Sequence, residues 1–113
     1  MDSYPVFLHL QGRSVLLVGG GNVASAKIGG LIAAGARVTV VAPAILDSLR
    51  RPGVRIEQRE FVPEDLEGTW FVVAAATAQV NRAVAGAAEI HGVFVNAVDD
   101  TDSASAWLGG VFR

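Results

Sequence analysis

Apolar residues occur in short runs separated by glycine, proline and polar stretches, and the runs alternate between strand and helix periods from one end of the chain to the other. Ser14-Val15-Leu16-Leu17-Val18 is unbroken and stops at three glycines, as expected of a central strand covered on both faces. From Asn22 to about Ala34 the positions Ala24, Ile28, Leu31 and Ile32 share one helical stripe, with Gly35 as its stop. Val38 to Val41 predicts a second strand ending at Ala42-Pro43, and Ile45 to Leu49 a short helix. Val54 to Arg59 alternates apolar and charged residues, which suits an exposed strand near a sheet edge. Proline and acids open a short helix at Pro63-Glu64-Asp65-Leu66, closed by Gly68. Trp70 to Ala75 predicts a buried strand. Gln79 to about Ile90 predicts a helix, with Val80, Val84, Ala87 and Ala88 on one stripe and Gly92 at its end; Val93 to Val98 predicts a final strand.

This succession predicts an α/β fold: a Rossmann-like three-layer domain with a mainly parallel sheet in the order 3-2-1-4-5. Residues 1–100 form this Rossmann-like domain in this reading. Beyond Val98 the character changes to a polar loop, Asp99-Asp100-Thr101-Asp102-Ser103, and then to an apolar tail. Trp107, Leu108, Val111 and Phe112 need cover, so residues 101–113 read as the start of a C-terminal region that a longer polypeptide or a partner chain completes.

Composition narrows the classes. A chain of 113 residues is one domain by length. With 51% hydrophobic and 18% charged residues it is not a disordered chain. No apolar run approaches the roughly 20 residues of a membrane span, and the N-terminus lacks the basic start of a signal peptide, so a cytoplasmic protein without a membrane partner is expected. Zero cysteines exclude disulfides, thiolate zinc sites and thiol nucleophiles, and two histidines, His9 and His91, leave no dedicated metal site. A net charge of -2 argues against a nucleic-acid partner held by bulk electrostatics.

The strongest local signal is Gly19-Gly20-Gly21-Asn22-Val23-Ala24, a G-x-G-x-x-A between a predicted strand and a predicted helix. Gly19 allows the tight turn, Gly21 removes the side chain that would block a pyrophosphate, and Ala24 lets the helix pack close to the strand. Free amides at the helix start can hold the phosphates; the bland alternative is a glycine-rich turn with no ligand. Dinucleotide folds usually place an acid at the end of the second strand to hold the adenosine ribose, but here that place is Val41-Ala42-Pro43. Backbone groups around Ala42 and Pro43 would have to read the ribose. Ligands in such sheets bind outside the carboxyl ends of the strands, which gathers Gly19 to Val23, Ala42-Pro43, Ala76-Thr77 and Asn96 to Asp100. Thr77 either offers its hydroxyl to the nicotinamide half or caps the next helix. Asp99 and Asp100 are the carboxylates at this rim, either a general base or a turn cap. His9 and His91 lie away from the rim, Asn81 and Arg82 read as helix surface, and Arg50 and Arg51 as a solvated pair.

Several segments, taken in order, resemble the N-terminal domain of siroheme synthase and the stand-alone precorrin-2 dehydrogenases. They are Tyr4-Pro5-Val6-Phe7-Leu8, Val15 to Ala24 with Lys27, Ala34 to Pro43, Ala74-Ala75-Ala76-Thr77 and Val95-Asn96-Ala97-Val98-Asp99-Asp100. The resemblance covers nearly the whole chain. It implies NAD-dependent oxidation of precorrin-2 to sirohydrochlorin and, in bifunctional members, insertion of ferrous iron to give siroheme. It carries the family's key aspartate onto Asp99, where one carboxylate can take the proton left by hydride removal and those displaced by metal. It also implies a homodimer formed through the region after this chain. Two other readings are a non-catalytic NAD-sensing Rossmann regulatory module, which would be expected to carry an acid where this chain has Ala42-Pro43, and an ordinary NAD(P) dehydrogenase domain, which would need a separate substrate domain. Substrate carboxylates should meet arginines, with Arg13, Arg50, Arg51, Arg59 and Arg82 all open as candidates.

Overall fold

The computed structural model describes residues 3–97. Five parallel strands form one sheet in the order β3-β2-β1-β4-β5, with β1 at Ser14–Val18, β2 at Arg37–Val41, β3 at Arg55–Glu57, β4 at Phe71–Ala74 and β5 at Phe94–Ala97. This is the expected Rossmann-like α/β order. Helix α1 spans Asn22–Ala33 and helix α2 spans Ala78–His91, while Asp47–Leu49 and Pro63–Leu66 are single 3-10 turns.

Strand pleating explains how so apolar a sheet stays covered. Because successive side chains point to opposite faces, Val15 and Leu17 of β1 and Phe71 and Val73 of β4 join α1 residues Ala24, Ile28 and Leu31 in one core. Leu16 and Val18, with Val72 and Ala74, join Val84, Ala87 and Ala88 of α2 and Leu66 in the other. Both cores are built of close-packed aliphatic side chains, and Leu17, Val40 and Val72 are fully enclosed.

Two segments differ from expectation. Ile45 to Leu49 does not wind into an α-helix, because the Leu46 N–H is donated to the Gly20 carbonyl at 2.8 Å and Leu49 is drawn into the α1 core, leaving only the 3-10 turn. The strand expected over Val54 to Arg59 shortens to β3, which pairs with β2 alone; the Arg59 N–H turns back to the Glu57 carbonyl at 3.0 Å and ends the ladder. The short helix at Pro63 forms as a 3-10 turn, with the Asp65 carboxylate accepting the Val62 N–H at 2.9 Å. Ile32, placed on the buried stripe of α1, is exposed. Among the described residues no helix is long and apolar enough to cross a membrane.

Candidate functional site

All strands run the same way, so their carboxyl ends form one rim, and a cleft of about 660 Å³ opens there, within the range of small-molecule sites. Its lining includes all nine residues singled out for a cofactor: Gly19, Gly20, Gly21, Asn22, Val23, Ala42, Pro43, Ala76 and Thr77. Ala44, Glu60, Phe61, Gln79 and Val80 complete much of the wall.

The three glycines serve different needs. Gly19 has φ of +137°, and a β-carbon there would collide with the backbone carbonyl of Ala75. Gly20 lies against the backbone of Ala44 and Ile45, and a β-carbon there would collide with the Ala44 carbonyl. Gly21 differs: its φ is -104°, which any residue adopts, and a β-carbon there would have no neighbour within 4 Å. Among the described residues neither conformation nor packing asks for glycine at this position, which faces the cleft.

Gly21 is also the N-cap of α1. Among the described residues no side chain caps this helix and no acid lies in its first turn, so its first amides and the positive end of its dipole face the cleft. The opposite holds for α2, where Thr77 Oγ1 accepts the Val80 N–H at 3.3 Å. Of the two roles open to Thr77, capping is the one formed here. The arrangement can take an anion at the start of α1, with a groove on either side for the groups it joins.

Asn81 corrects the reading of helix surface. It is buried, its Oδ1 accepts the Ala76 N–H at 2.9 Å, and its Nδ2 reaches the Ala76 carbonyl at 3.5 Å, which holds the Ala76-Thr77 wall in shape. The signal lay in the spacing, since Asn81 falls three residues before Val84 and seven before Ala88 on the buried stripe. Arg82 is exposed as expected.

Glu60 is the one ionisable side chain among the described residues lining the cleft, and it lies in the loop after an edge strand, where no periodicity marks it. The arginines left open as candidates are mostly engaged within the chain. Arg59 makes a two-pronged contact to the Asp65 carboxylate at 2.9 and 2.6 Å, and this guanidinium holds the Asp65 carboxyl below its usual range. Arg50 donates to Gln58 Oε1 at 2.9 Å, Arg51 to the Ser48 carbonyl at 3.2 Å, and Arg13 stacks 4.3 Å from the Trp70 ring centre. His91 Nδ1 meets the Ala87 carbonyl at 2.9 Å, away from the rim. Asn96 is buried and Ala97 pairs with Ala74 at the rim, whereas Asp99 and Asp100 lie outside the described residues, as does the 101–113 segment. Among the described residues no group of three or more His, Asp or Glu could hold a metal ion.

Comparison with known proteins agrees with this geometry. Residues 6–110 match the family model described as "Putative NAD(P)-binding". Siroheme synthase 1 of Aeromonas salmonicida is 44% identical over 110 residues, 93% of this chain and 24% of that protein. Siroheme synthase of Chromobacterium violaceum is 44% identical over 108 residues, 91% of this chain and 23% of that protein. Among solved structures, SirC, precorrin-2 dehydrogenase, superposes with a TM-score of 0.70 at 36% identity, over 83% of this chain and 50% of that one. The chain thus spans about a quarter of the length of the curated relatives it matches. By the match over 6–110, and by its likeness to these proteins, the chain belongs to the NAD(P)-binding family that includes the siroheme synthase N-terminal domain.

Proposed function

We propose that this chain binds NAD+ in the cleft at the carboxyl ends of β1, β2 and β4. In this reading it is the dehydrogenase domain of an enzyme that oxidises precorrin-2 to sirohydrochlorin in siroheme or cobalamin biosynthesis. The observation that carries the first half is Gly21, a glycine that nothing among the described residues requires, at a start of α1 that no described side chain caps. A pyrophosphate laid there replaces the missing cap, and a β-carbon would fill the space it needs. The second half rests on the likeness to siroheme synthases and to SirC, precorrin-2 dehydrogenase.

NAD+, when bound, accepts a hydride from the macrocycle. The amides of Asn22 and Val23 hold the phosphates, the backbone of Ala42 and Pro43 borders the adenosine ribose, and the Ala76-Thr77 turn, braced by Asn81, borders the nicotinamide half. Asp99 takes the proton that leaves with the hydride, so that precorrin-2 and NAD+ give sirohydrochlorin, NADH and a proton. A homodimer and ferrous iron as a further substrate belong to the same proposal through the family resemblance. The sensor alternative is not favoured, since its acid at the end of β2 is absent and Ala42-Pro43 stands there.

An anaerobic reaction of the protein with precorrin-2 and NAD+, following the sirohydrochlorin spectrum and NADH together, tests the reading. Equal appearance of both, reduced about 10²- to 10⁴-fold in Asp99→Ala with NAD+ affinity kept within a few fold, is expected. Undiminished turnover by Asp99→Ala would overturn the assignment of the base.

A further inference from the structure

We propose that Glu60 makes this cleft select NAD+ over NADP+, taking the place of the acid that the end of β2 lacks. The inference deepens the reading of the cleft as an NAD+ site and rests on it.

The cleft wall at the end of β2 is Ala42, Pro43 and Ala44, none of which can bond a ribose hydroxyl through its side chain. Glu60 lines the same cleft from the loop after β3, the strand paired with β2. Among the described residues its carboxylate has no hydrogen bond or ion pair and is the one charge on the lining. The loop that carries it is held from several sides. Gln58 Nε2 reaches the Pro43 carbonyl at 3.4 Å, and Arg59 Nη1 donates to the backbone carbonyl of Glu60 at 3.1 Å while its guanidinium grips Asp65. The loop backbone is held in this way while the Glu60 side chain stays free on the cleft wall, so its carboxylate can accept from the ribose hydroxyls of an adenosine lying there, which is the task of the acid usually found on β2 itself.

The same placement works against a 2′-phosphate. NADP+ would bring a phosphate of nearly two negative charges to a wall whose one charge is negative. Arg59 is paired with Asp65, and Arg50 faces Asp47 at 3.9 Å while donating to Gln58. Discrimination therefore arises both from hydrogen bonds made to the ribose of NAD+ and from a repulsion imposed on NADP+.

Calorimetric titration of NAD+ and NADP+ into the full chain, as wild type, Glu60→Gln and Glu60→Ala, tests this. Wild type should bind NAD+ more tightly, and both variants should reduce the ratio of the two dissociation constants by about tenfold, with NADP+ affinity rising. Raising the salt should shrink the wild-type preference and leave that of the variants nearly unchanged. Glu60 is exposed and unpaired, so circular dichroism melts of the variants should match wild type. An unchanged ratio in folded variants that still bind NAD+ would overturn the role of Glu60 and leave the cleft assignment standing. Failure of wild type to bind either nucleotide would instead remove the reading on which the inference rests.

Discussion

Gly19 and Gly21 stand two positions apart and are glycine for opposite reasons. Gly19 serves the fold, through its positive φ and its contact with Ala75, so Gly19→Ala should cost about 2–4 kcal/mol in urea unfolding whether or not nucleotide is present. Gly21 has no such contact among the described residues, and in the proposed reading it serves the ligand. Gly21→Val should cost no more than about 1 kcal/mol of stability, because valine is a poorer N-cap, and weaken NAD+ binding at least roughly 100-fold by calorimetry. Equal effects of the two substitutions on stability would show that Gly21 is also structural. Asn81 gives a third contrast, because Asn81→Leu strands the Ala76 N–H and should cost about 1–3 kcal/mol despite added apolar volume. The motif glycines were readable in the sequence because each task needs glycine whatever surrounds it. The burial of Asn81 was marked by its spacing from Val84 and Ala88, but its bonds to Ala76 and the place of Glu60 on the cleft wall were not, because only tertiary folding sets them there.

Elements differ in how their ends are closed. The start of α2 is capped by Thr77, and Thr77→Ala should cost about 1 kcal/mol of stability in urea unfolding. The start of α1 has no such cap among the described residues, and its free amides are open to an anionic ligand. At the Pro63–Leu66 turn, Asp65 bonds Arg59 and the Val62 N–H, and its folded value lies below the ordinary one near 3.8. Between these two values the unfolded chain binds more protons, so stability rises with pH there. The contribution is complete above the ordinary value and is lost as pH falls through the depressed one. Asp65→Asn should therefore be less stable near neutral pH and show a flatter acid limb in unfolding titrations. Strands β1 and β4 were legible to within a residue at each end, since a strand buried on both faces must be a continuous apolar run. The edge strand β3 and the segment after Pro43 were not, because pairing on one side and a hydrogen bond to Gly20 decided where they stop.

For the molecule as a whole, the parallel order puts every strand's carboxyl end on one rim and thereby turns distant segments of sequence into one cleft. That order was legible from the alternation of periods and from the rules for parallel crossovers. The depth of the cleft was not, since Phe61 and Val80 enter its wall from elements whose approach depends on the α2 core. A ligand that bridges these segments binds only the folded chain, so NAD+ at 100 times its dissociation constant should add about 2.7 kcal/mol and raise Tm by roughly 10 °C. The Gly21→Val protein should show no such shift. The central claim, that this cleft is where NAD+ sits, is tested most directly by titrating NAD+ into isotope-labelled protein and following backbone amide resonances. The largest changes are expected at Gly20 to Val23, Ala42 and Ala44, and Ala76 to Thr77, with β3 and the far ends of the helices still. Changes centred away from these three segments, or none at saturating NAD+, would contradict it.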